Sequence, residues 1–85
     1  LMSWEEHSVI NFDNKLLKVL DLSWEGKKYC GYGRIYSKGE EENWKPVEFS
    51  SLTLTNDGTS KLSGQFKYLT DNEWEAKGED VDELP

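Results

Sequence analysis

Nowhere in this chain do more than two apolar residues stand together, and through its middle they alternate with polar ones. That pattern is the main constraint on the fold. A period of two sends successive side chains to opposite faces of a strand. A membrane-spanning helix would instead need about twenty apolar residues in a row.

Turn residues cut the alternating stretches to strand length. Ser8 to Phe12 reads as a short strand, and Asp13-Asn14 as a tight turn, because both residues tolerate a left-handed backbone. Lys15 to Trp24 reads as a longer strand, with Leu16, Leu20, Leu22 and Trp24 on one face and Leu17, Val19, Asp21 and Ser23 on the other. Phe12, Leu16, Val19 and Leu20 also fit a helical period, but turn signals bound the segment closely on both sides. Glu25-Gly26 is the next turn, and Lys27 to Ser37 the return strand. Pairing Trp24 with Lys27 sets Leu22 opposite Tyr29, Leu16 opposite Ile35 and Val19 opposite Tyr32. Both faces of this pair are apolar, so it belongs at the centre of the sheet or in a part that curls. Gly31 and Gly33 allow a sharp bend or a close approach.

Lys38 to Lys45 is a polar loop. From Val47 to Thr55 the apolar phase slips between Phe49 and Leu52, and a bulge at Ser50-Ser51 restores it. Asn56-Asp57-Gly58 is the strongest turn signal, and Leu62, Gly64, Phe66 and Tyr68 alternate cleanly after it. Two readings stay open beyond Thr70. Thr70 to Glu73 fits a capping box and Leu69 with Trp74 a hydrophobic staple, which gives one short helix closed by Gly78. Asp71-Asn72 also repeats the Asp13-Asn14 turn, which would make Glu73 to Lys77 an edge strand. The expected fold is therefore all-β, with or without one short C-terminal helix: an antiparallel meander of five to six strands forming a curled sheet or small barrel.

Trp24-Glu25-Gly26-Lys27 through Gly31-Tyr32-Gly33-Arg34, then Gly39, is similar to the hairpin rhythm of MORN repeats. The likeness covers under a third of the chain, with one residue more between the glycines than that rhythm has, and no function is carried over from it.

With 85 residues, the chain has room for one small β-rich domain, taken as 1–77, its core supplied by eleven aromatics. Residues 78–85 read as an acidic, disordered tail with little apolar surface to offset the cost of ordering. The lone Cys30 reads as a small buried hydrophobe, since it has no disulfide partner. No leader-like apolar stretch is present, and the expected setting is cytoplasmic, without membrane contact.

Charge narrows the function. Seventeen acids against ten bases give a net charge of −7, which argues against direct nucleic-acid binding. A catalytic site needs a nucleophile beside a base, paired carboxylates in a cleft, or a metal cluster. His7 is the only imidazole and reads as a surface residue; with Cys30 it makes two Cys/His side chains, against about four ligands for zinc. Gly31-Tyr32-Gly33 lacks the further glycine and lysine of a phosphate loop. Neither an enzyme nor a cofactor or metal is expected.

Binding is the leading class. The first expectation is a small acidic inhibitor or immunity-type protein, monomeric before binding, that blocks a basic partner such as a toxin, a nuclease or another nucleic-acid-binding protein. Carboxylates would stand where phosphates sit, and opposite charge would speed encounter. The candidate contacts are Glu40, Glu41 and Glu42 with Trp44, and Asp71, Glu73 and Glu75 with Trp74, the indoles serving as anchors. The alternative is a recognition module for carbohydrate or peptide, with Trp24, Tyr29, Tyr32, Tyr36 and Trp44 as an aromatic platform.

Overall fold

The computed structural model describes residues 7–12, 14–54 and 62–85. Five antiparallel strands follow one another in sequence order across one sheet: β1 Val9–Phe12, β2 Lys15–Glu25, β3 Lys28–Tyr36, β4 Lys45–Leu54 and β5 Leu62–Tyr68. A 3-10 turn at Glu41–Asn43 precedes β4, and helix α1, Asp71–Ala76, comes after β5. The meander is all-β apart from these short helical pieces. Among the described residues the sheet is open, for β1 and β5 share no ladder, yet it curls enough for Phe12 of β1 to meet Phe66 of β5 edge to face at 4.9 Å.

Two bulges give the sheet its shape. In β4 the register against both neighbours shifts between Ser50 and Leu52, with Ser51 at φ 62. This is the bulge that the slipped apolar phase implies. A second bulge in β2, between Val19 and Asp21, departs from the expected regular strand. It carries Leu22 across to the face that holds Leu17 and Val19, while Leu16 and Leu20 stay on the other. The β2–β3 register also differs from expectation. Trp24 pairs with Tyr29, not Lys27, while Leu17 faces Ile35 and Leu16 faces Tyr36. Gly26, at φ 73, takes the first loop position rather than the second, and Lys27 N–H donates to the Glu25 carbonyl at 2.9 Å.

Gly31 and Gly33 serve these close approaches. A Cβ on Gly31 would run into the Asp21 carbonyl, and one on Gly33 into the Lys18 carbonyl. The turn at Asp13-Asn14 is described only at Asn14, which has φ 65. The turn expected at Asn56-Asp57-Gly58 lies outside the described residues.

Each face of the sheet has its own core. The first packs Ile10, Phe12, Leu17, Val19, Ile35, Val47, Phe49 and Leu52, all contributed by strands. The second packs Tyr36, Trp44, Leu69 and Trp74, joined by Leu16, Leu20, Tyr32, Val81 and Leu84. The chain beyond β5 forms its roof. Of the two readings beyond Thr70, the structure takes the helix. Thr70 Oγ1 accepts from Glu73 N–H, and the Glu73 carboxylate accepts from Thr70 N–H. Leu69 and Trp74 are buried together as the staple. Gly78, at φ 86, closes the helix by donating to the Glu75 carbonyl, while Glu79 N–H reaches the Trp74 carbonyl.

Residues 78–85 differ from the disordered tail expected of them. A 3-10 turn at Val81–Glu83 presents Val81 and Leu84 to the second core. An i to i+3 spacing places two side chains on one side of such a turn, so a segment with only two apolar residues still has an apolar edge.

Candidate partner-binding surface

The expected acidic clusters belong to the layer that covers the second face. Glu40, Glu41 and Glu42 are exposed around the first 3-10 turn, and Asp71 and Glu75 are exposed on α1. Trp44 and Trp74 lie between them and touch, their ring centroids 5.6 Å apart. Both clusters thus flank one indole pair, which brings together residues thirty positions apart in sequence.

The indoles do not stand where anchors would. Trp44 is only 7% exposed and Trp74 is fully buried. An amphipathic ring on a short helix next to the sheet lowers the free energy more by covering Leu16, Leu20 and Tyr32 than by facing water. Trp44 and Trp74, expected as anchors, are thus packed into the second core. Trp44 also carries Arg34 across its ring, with the guanidinium carbon 4.2 Å from the centroid.

Glu73 likewise has structural work. Besides closing the capping box it pairs with Lys67 at 3.1 Å. Lys67 also approaches Glu48 to 3.7 Å, and Lys77 binds Glu48 at 2.7 Å. This chain of charges ties α1 to β4 and β5. Its carboxylates titrate accordingly: Glu48 is held low chiefly by the Lys77 hydrogen bond, and Glu73 by the Thr70 backbone N–H and then by Lys67. Lys67 is pushed up, first by its hydrogen bond to Glu73. Burial raises the Tyr36 hydroxyl, and Glu41 adds to it. A cleft of about 520 Å3 lies beside this network, lined by Glu48, Lys67 and Lys77 of it and by Asp21, Cys30, Phe49 and Gln65 among others.

The aromatic platform is not assembled. Trp24 and Tyr29 meet at a tilt, their centroids 4.6 Å apart, with Tyr29 packed on the first core, while Tyr32, Tyr36 and Trp44 belong to the second. Trp24, 57% exposed, is the indole left open to solvent among the described residues. Cys30 is partly buried beside Glu25, at 3.4 Å. Among the described residues no group of three or more His, Cys, Asp or Glu could hold a metal ion, and no helix is long and apolar enough to cross a membrane.

Sequence reasoning missed the acids beyond α1. Glu79 accepts a hydrogen bond from the Tyr32 hydroxyl at 3.1 Å, and Glu83 pairs with Arg34 at 3.0 Å. Asp80 caps the second 3-10 turn through the Asp82 N–H. The signal that could have found them is the three-residue spacing of Val81 and Leu84. With them included, segments 40–44 and 69–85 hold ten acids and a single base, Lys77, and the rest of the chain seven acids and nine bases. The covering layer thus carries a net −9 and the remainder a net +2. No family model, curated protein or solved structure matches the chain.

Proposed function

We propose that this protein is a small acidic binding protein of inhibitor or immunity type, which covers a basic surface on a nucleic-acid-binding partner such as a nuclease or toxin. The observation that carries the reading is the segregation of charge: the whole negative excess lies in the layer over one face of the sheet. Charge gathered on one side orients an approaching cationic surface before contact, and its field strengthens as neighbouring carboxylates add. Glu40, Glu41, Glu42, Asp71 and Glu75 are the contacts, since they are exposed. Glu73 lends field while it holds the helix, and Trp44 and Trp74 support the surface from beneath.

The test is the association rate with a panel of purified basic nucleases, measured at about 50 and 500 mM salt, since screening length falls steeply over that range. The expected result is rapid, salt-sensitive binding to at least one of them. Reversing Glu40, Glu41 and Glu42 to Lys, or Asp71 and Glu75 to Lys, slows association by about tenfold or more. Equal rates for the unaltered chain and both charge-reversed variants end this reading.

A further inference from the structure

The segment after Gly78 lies on the second face as a ligand lies in a groove. Val81 and Leu84 are half-buried against the aromatic core. Two donors on β3 receive its carboxylates: Tyr32 Oη donates to Glu79 at 3.1 Å, and Arg34 Nη2 to Glu83 at 3.0 Å. The Arg34 guanidinium is fixed by lying over Trp44, so it is a preformed donor site for a carboxylate rather than a side chain searching in water.

The internal occupant fills that site incompletely. Arg34 Nε is buried and makes no hydrogen bond among the described residues, while Glu83 uses Nη2. A carboxylate that meets a guanidinium side-on takes two parallel N–H···O bonds, one of them from Nε. The Glu83 side chain is also 57% exposed, which places its ion pair among the weak ones. Packing of Val81 and Leu84 and the short tether after Gly78 together keep the segment near the groove.

We propose that this groove is a docking site for an acidic peptide segment of a partner protein, and that residues 79–84 are its displaceable internal occupant. The chemistry it selects is set by Glu79, Val81, Glu83 and Leu84: a carboxylate, an apolar residue two positions on, then a second carboxylate with a second apolar residue directly after it. The displaced segment stays tethered to α1, so a docked acidic peptide adds its charge to this face, and the Arg34 and Tyr32 contacts must offset that repulsion. The site is independent of the basic partner proposed above, and either can hold without the other.

A fluorescein-labelled peptide with the sequence of residues 79–85 tests this on the full-length chain. In the unaltered chain the tethered segment competes, so the peptide binds weakly. In the E79Q/E83Q variant the groove is more often open, and binding is expected to tighten about tenfold, in proportion to the open fraction. Adding R34Q should erase that gain, and a peptide with both glutamates changed to glutamine should bind neither form. The V81S/L84S variant opens the groove by an independent route and should give the same gain, with near-ultraviolet dichroism reporting that the fold is intact. Equal binding to all forms, or none to either opened variant while it stays folded, overturns the proposal. Tail exchange between two copies, seen as a dimer of the unaltered chain, would overturn it in favour of a self-association site.

Discussion

The two faces of this sheet are closed in different ways. The first is covered by the sheet itself, since β1 and β5 curl together until Phe12 meets Phe66, and its core of Leu, Val, Ile and Phe comes from alternate strand positions. The second is covered by the segment around Trp44 and by elements beyond the last strand, and its core joins Tyr36, Trp44 and Trp74 to Leu69. A self-closed face rises and falls with the sheet. A face roofed by a six-residue helix and one 3-10 turn depends on caps, a staple and a few charge pairs, for a helix that short has little stability of its own. The roof, with its load of acid, is therefore the part of the molecule expected to open locally while the sheet stays as it is.

Trp74→Ala set beside Leu17→Ala puts this contrast at most risk. Both side chains are fully buried, and each truncation should cost about 2–5 kcal/mol in urea unfolding, Trp74 toward the upper end. Their reach should differ. Hydrogen exchange in W74A should rise across 70–85 while strand amides remain protected, whereas L17A should raise exchange throughout. Uniform loss in both would show one cooperative core instead of two.

Gly31→Ala tests the bulged side of the sheet. With the Asp21 carbonyl and Phe49 in the way of a Cβ, the cost should be about 1–3 kcal/mol or more, read from the same denaturation curves. Thr70→Ala, which removes the cap of α1, should cost about 0.5–2 kcal/mol and should raise exchange in 70–85 selectively.

The least of these effects is that of pH. Glu48 and Glu73 stay ionised to lower pH in the folded chain than in the unfolded one, so their contribution is present above the ordinary carboxylate value of 4.5 and fades as pH falls below it. Because the ion pairs involved are largely exposed, the loss should be modest. It should still fall on the roof first: amides of 70–78 should lose protection on acidification before those of β2 and β3, and Glu48→Gln should blunt the change.

How much of this could be read from the residues depended on how local each determinant was. The bulge at Ser50-Ser51 was legible because the slip between Phe49 and Leu52 is contained within one strand. The bulge in β2 was not, because Leu20 and Leu22 are equally apolar and only the partner strand decides which face each takes. The capping box and staple of α1 were legible as one of two readings, and the choice fell to the second face, which has a place for Trp74 in its core. The acidic clusters were visible as sequence, but the burial of Trp44 and Trp74 was not, since an indole carries no local mark of whether it will face solvent or a sheet.

The order of residues alone was enough for the antiparallel meander, because alternation with a period of two and turn residues at its breaks act between near neighbours. It was enough, too, for the acidity of the regions after β3 and β5. Folding in three dimensions was needed to make these regions a single roof, to rest the tail against Arg34 and Tyr32, and to lay the indoles beneath the charge. Those outcomes join residues up to 49 positions apart, and they depend on which apolar surface remained uncovered once the sheet had curled.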